Sequence, residues 1–96
     1  MQKRIYKNDI MEIVILDSAY KHGVTKQSIL FCLLHFQSDI VIDDPPPKRL
    51  FVGFDHHGNP LEIIAVEDEE HYRLVVIHAM KLRKQFFHLL VEGGIV

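Results

Sequence analysis

The chain has 96 residues, 48% of them hydrophobic, with a formal net charge of −2 and one cysteine. These values fit a single domain over residues 1–96 and exclude a disordered chain or an internal disulfide framework. The negative balance argues against a broad nucleic-acid surface, yet the basic residues gather at the N-terminus and at 81–84, which leaves room for a local basic site.

The opening MQKRIYKND is basic, but no uncharged apolar stretch follows it, and the IVIL run at 13–16 is cut by Asp17. No signal peptide is expected. No apolar run approaches the ~20 residues that span a bilayer, so no membrane association is expected either. The lone Cys32 fits a reducing cytoplasm and reads as a small core residue within SILFCLLHF.

Asp9 and Glu12 have the spacing of a capping box, and Gly23 stands where a helix would end. The spacing predicts a first helix over 9–21. EIVIL at 12–16 is rich in β-branched residues and competes as a strand, but the cap and the glycine decide for helix. Thr25 reads as the N-cap of a second helix over 25–36, with Ile29, Cys32, Leu33 and Phe36 on one face. A short strand is expected at 39–42, then a turn or rigid connector at DDPPP. Three further strands are expected at 49–54, 61–66 and 72–79, joined by DHHGNP and by the acidic EDEEH. Leu82, Phe86, Leu89 and Leu90 describe a C-terminal amphipathic helix ending at Gly93-Gly94. The expected fold is α+β: two N-terminal helices, a four-stranded antiparallel meander sheet and one C-terminal helix. One sheet face is covered by helices and the other is partly open.

Alternation along the last strand sets Val75, Ile77 and Ala79 toward the helices, and Val76, His78 and Met80 away from them. A site on the open face can combine Asp55, Glu62, His78 and Arg83. Metal-free RNA cleavage needs a base for the 2′-OH, cations for the extra negative charge and an acid for the leaving 5′-oxygen. His78 or Glu62 can serve as base or acid; Arg83 and Lys81 can hold the charge. Lys21, His22, Arg49 and Lys84 are the candidate RNA-binding residues. The same residues also admit a plainer reading: His78 hydrogen-bonded within the sheet, Arg83 and Lys84 a solvated helix start, and Lys21-His22-Gly23 a helix C-terminus. Asp55-His56-His57 with His71 or His78 could in principle ligate a metal, but neighbouring side chains in a turn diverge and no paired-histidine spacing is present. There is no Gly-rich phosphate loop or nucleotide fingerprint, so neither metal nor other cofactor is expected.

Three pieces, KHGVTKQSIL at 21–30, VGFDHHGNPLEII at 52–64 and VVIHAMKLR at 75–83, together resemble the BrnT-like toxins of bacterial type II toxin–antitoxin pairs, which share the RelE-like fold. The likeness runs over roughly residues 9–90 and is greatest to a subgroup whose last strand ends in IHAM followed by arginine. The resemblance implies a compact α/β fold, an endoribonuclease activity on RNA and a cognate antitoxin partner; a homodimer is a further possibility. The chain departs from the family where a Ser-Ala-Arg pattern is usual: His78, Ala79 and Met80 stand there, so Lys81 and Arg83 would have to replace the arginine. Its acidic balance also departs. A second reading follows from these departures: a non-catalytic binding or regulatory module, a degenerate toxin.

Overall fold

The computed structural model describes residues 11–94. Strand β1 (Glu12–Ile15) leads into a 3-10 turn at Asp17–Tyr20 and then helix α1 (Lys26–Leu34). Four strands follow: β2 (Ser38–Asp43), β3 (Lys48–Phe54), β4 (Pro60–Asp68) and β5 (Arg73–Lys81). A 3-10 turn at Lys84–Phe86 runs into the short helix α2 (Phe87–Gly94). The strands form one five-stranded sheet in the order β1-β5-β4-β3-β2. Strands β2 to β5 are an antiparallel meander, while β1 lies parallel to β5.

This corrects the expected pair of N-terminal helices and four purely antiparallel strands. The EIVI segment pairs Glu12 with Arg73 and Ile15 with Val76, and its neighbours' backbone groups continue the ladder, Leu16 N–H donating to the Val76 carbonyl at 3.0 Å. Long-range pairing with an otherwise open sheet edge overrides the local helix signal. Asp9 lies outside the described residues. Gly23, at φ +84°, closes the 3-10 turn through a 3.0 Å bond from its N–H to the Tyr20 carbonyl rather than ending a helix.

The second expected helix is present as α1. Thr25 caps it, its side-chain oxygen accepting from Ser28 N–H at 3.1 Å. Ile29, Cys32, Leu33 and Phe36 are buried against Phe51, Leu61, Ile63 and Ala65 of the central strands and Leu74, Val76 and Ala79 of β5. Burial pushes the Cys32 thiol up to about 12, with the Asp55 charge adding to it, so this cysteine is a core residue and no nucleophile. Leu50, Val52, Leu82 and Leu89, with Ile64, Phe86 and Leu90, form a second core on the opposite face. Ser38 Oγ donates to the Leu89 carbonyl at 2.8 Å and ties α2 to the β2 side of that face.

Helix α1 ends hard against β3. A Cβ on Gly53 would stand 3.0 Å from the Phe36 Cα and 3.2 Å from Cys32 Sγ. Backbone cannot yield as a side-chain tip can, so Gly53→Ala is expected to cost about 1–3 kcal/mol, read as a lower urea midpoint at unchanged slope.

One irregularity in β5 decides where its side chains point. Ile64 pairs with His78, but Ala65 pairs with Val76, so Ile77 is an extra, bulged residue. Its carbonyl accepts from Ser18 Oγ at 2.9 Å. The bulge breaks the simple alternation expected for this strand. Leu74, Val76 and Ala79 belong to the α1-side core, whereas Val75 and Ile77 are only half-buried.

Candidate functional site

Glu62 is the organising residue. It sits in β4 opposite Met80, next to the Ile64–His78 pair, on the face away from α1. The chain leaves β5 at Lys81, where Leu82 N–H still bonds the Pro60 carbonyl at 3.0 Å, and then folds Arg83 back over Glu62. Arg83 N–H donates to Glu62 Oε1 at 3.1 Å, its Nε lies 3.1 Å from each carboxylate oxygen, and its Nη2 lies 2.6 Å from Oε2. His78 Nε2 reaches the same Oε2 at 3.2 Å. The Glu62 side chain is 0% exposed, while those of His78 and Arg83 are 24% and 46% exposed. A buried carboxylate thus holds two functional groups that face solvent.

Burial by itself would push the Glu62 carboxyl up. The hydrogen bonds from the Arg83 guanidinium and backbone N–H, and then from His78, outweigh it and hold the group below the usual carboxylate range. The ionised carboxylate accepts at Oε2, so His78 Nε2 carries a proton and donates it there. The His22 ring meets the His78 ring edge-on, centroids 5.5 Å apart. The Arg83 guanidinium lies 5.5 Å from the Phe86 ring centroid, which steadies it from the other side.

The expected convergence of Asp55, Glu62, His78 and Arg83 is met for the last three. Asp55 instead closes the β3–β4 turn: Oδ1 accepts from His57 N–H at 2.9 Å and Asn59 N–H at 2.8 Å, and Oδ2 from the Asn59 side chain at 3.2 Å. Burial raises its carboxyl, but the bonds from Asn59 and His57 prevail and hold it low. Arg49 lies between Asp39, at 2.9 Å, and Glu67 across three neighbouring strands, which gives it a structural partnership. Lys81 is exposed and borders a cleft that also includes His22. Lys21 and Lys84 are exposed at positions adjoining His22 and Arg83. Thr25, Ser28 and Asn59 on the cleft wall were not among the expected site residues; for Thr25 the sequence offered only a helix cap as a signal.

Among the described residues no three His, Cys, Asp or Glu side chains form a group able to hold a metal ion. His71 is engaged with Asp68 in the β4–β5 turn, at the other end of the strand from Asp55–His57. Also among the described residues, no helix is long and apolar enough to cross a membrane.

Among the described residues three carboxyls are held low: Glu62 and Asp55 as above, and Asp68 through Arg73 with His71 assisting. A folded-state pKa below the unfolded value means stability that is complete above the unfolded value, about 4 for Asp and Glu, and lost as pH falls through the folded value. The contribution of these groups is therefore expected to be constant from pH 7 to about 5 and to fall below about 4. Chemical unfolding at stepped pH checks this, and Glu62→Gln should flatten the acid limb.

In comparisons with known proteins, no family model, no curated protein and no solved structure matches the chain.

Proposed function

We propose that this chain is an endoribonuclease of the toxin type, cutting RNA by acid–base chemistry without a metal. The observation that carries the reading is Glu62 tying His78 and Arg83 together at a solvent-facing end of the sheet, with the His22 ring against His78. The three sequence pieces that resemble BrnT-like toxins meet at this place: the first supplies His22, the second Glu62, the third His78 and Arg83.

In this proposal His78 Nδ1 takes the proton of the 2′-OH as that oxygen attacks the adjacent phosphorus. The bond from phosphorus to the 5′-oxygen breaks, and His22 gives a proton to the departing oxygen. Arg83 holds the charge that builds on the phosphoryl oxygens. The products are a 2′,3′-cyclic phosphate and a 5′-OH end, and water returns the two imidazoles to their starting states. Glu62 is enclosed and its oxygens are engaged, so it acts as a positioning residue and not as the base. Expression of the chain is expected to arrest growth, with His78→Ala or Arg83→Ala relieving the arrest; equal toxicity of both variants would remove the mechanism.

A specific observation favours the competing reading, a non-catalytic module: Arg83 engages Glu62 through both Nε and Nη2. Arg83→Lys separates the two. A clamp with no catalytic task tolerates the loss of the fork in every readout but stability, whereas a charge-stabilising arginine loses rate as well.

The expected partner is an antitoxin. The edge strand β2 exposes Ile40, Val41 and Ile42 at 40%, 49% and 45%, followed by Asp43 and Asp44, and we place there an added strand of a basic, apolar antitoxin segment. Sedimentation of the purified chain tests the assignment: a monomer leaves β2 to the antitoxin, whereas a dimer broken by Val41→Lys would give that edge to a second copy.

A further inference from the structure

We infer that the cleft beside this site binds a backbone phosphate of the RNA, next to the phosphate being cut. The inference rests on the RNA-cleaving reading above. The cleft holds about 320 Å³, at the lower end of the size range of ligand pockets, and His22, Thr25, Ser28, Asn59 and Lys81 line it.

Two independent features, one at the helix start beside the cleft and one on its wall, point to an anion. The first is the start of α1. Thr25 takes the Ser28 N–H with its side chain and the Ile29 N–H with its carbonyl, while the N–H groups of Lys26 and Gln27 have no partner among the described residues. Such free donors at a helix start, with the positive end of the helix dipole, favour a phosphate oxygen. The second is Ser28 itself. It is only 7% exposed, it lines the cleft, and its hydroxyl has no hydrogen-bond partner among the described residues. A buried hydroxyl without a partner is costly, and a ligand oxygen in the cleft would satisfy it.

Charge restricts where the phosphate sits. Lys81 contributes a cation to the rim. Asp55 also borders the cleft, but its two oxygens are engaged by the β3–β4 turn and it is held ionised. An anion is therefore placed toward the start of α1 and Lys81, away from that turn. His22 joins the cleft to the site, because it lines the one and its ring lies 5.5 Å from His78 in the other. A strand with its scissile phosphate at His78 and Arg83 would lay a neighbouring phosphate in the cleft.

The test is a ¹H–¹⁵N NMR titration with a 2′-O-methyl RNA oligonucleotide, which cannot be cut because its 2′-oxygen is blocked, and in parallel with inorganic phosphate. The amides of Lys26, Gln27 and Ser28 are expected to shift with the oligonucleotide. Ser28→Ala should weaken binding about fivefold and Lys81→Ala by a similar factor, with the spectrum of each variant confirming the fold. Shifts confined to His78 and Arg83 would overturn the cleft assignment and leave the cleavage reading intact. Shifts at the helix start with unmodified RNA left uncut would uphold the cleft and sink the cleavage reading. Shifts with inorganic phosphate but none with the oligonucleotide would make this a free-phosphate site and overturn the RNA assignment.

Discussion

His78→Ala is expected to lower RNA cleavage by roughly 10²- to 10⁴-fold, the range over which a positioned acid or base contributes. The same change should cost little stability. The ring is half-buried rather than enclosed, and Glu62 keeps its stronger bonds to the Arg83 guanidinium and backbone. The combination is the informative part. A histidine with only a structural role would lose melting temperature and keep its rate; a catalytic one does the reverse. Single-turnover cleavage and a melting curve on the same preparation separate the two outcomes. His22→Ala should repeat the loss of rate, since the proposal gives its ring the second proton transfer.

Glu62→Ala should strike both rate and stability. The carboxylate is fully enclosed and receives donors from Arg83 backbone, Arg83 side chain and His78. Its loss leaves a cavity beside Ile64 and Val52 and frees the chain after β5, at a cost of roughly 3 kcal/mol. For a domain of this size that is a fall in melting temperature of roughly 15 °C. Because a failing fold would by itself abolish activity, Glu62→Leu is the companion variant. Leucine refills the space, and the Arg83 and His78 side chains, 46% and 24% exposed, can turn their freed donors to water. Glu62→Leu should therefore melt nearer to the parent protein yet remain inactive, because nothing then orients His78 and Arg83. Recovery of activity together with stability would reduce Glu62 to a packing residue.

The strands of the meander could be read from the sequence because their signals are local. Alternating apolar residues and the turns at Gly58-Asn59-Pro60 and Glu69–Tyr72 bound β3, β4 and β5 within a residue or two, and Thr25 marks the start of α1. Strand β1 could not be read this way. Its partner β5 lies far along the chain, Glu12 pairing with Arg73, and Gly23 serves a turn as readily as it serves a helix end. The bulge at Ile77 was equally hidden: one extra residue reverses which side chains of β5 face α1, and nothing in VVIHAM announces it. His78 nevertheless reaches Glu62, because it follows the bulge and pairs with Ile64 beside Glu62. Arg49 is the converse case. As an isolated cation it invites a role in RNA binding, and only the register of β2, β3 and β4 shows that Asp39 and Glu67 flank it. His22 was visible as a candidate RNA-binding residue at an expected helix end, but its approach to His78 depends on how the chain leaves β1 and returns past β5.

Incubation of purified protein with single-stranded RNA in a chelating buffer, with the new ends identified chemically, is the most direct test of the proposed activity. The expected result is cleavage that leaves 2′,3′-cyclic phosphate and 5′-OH ends and disappears in His78→Ala. Intact RNA with the parent protein, or cleavage that persists unchanged in His78→Ala, would contradict it.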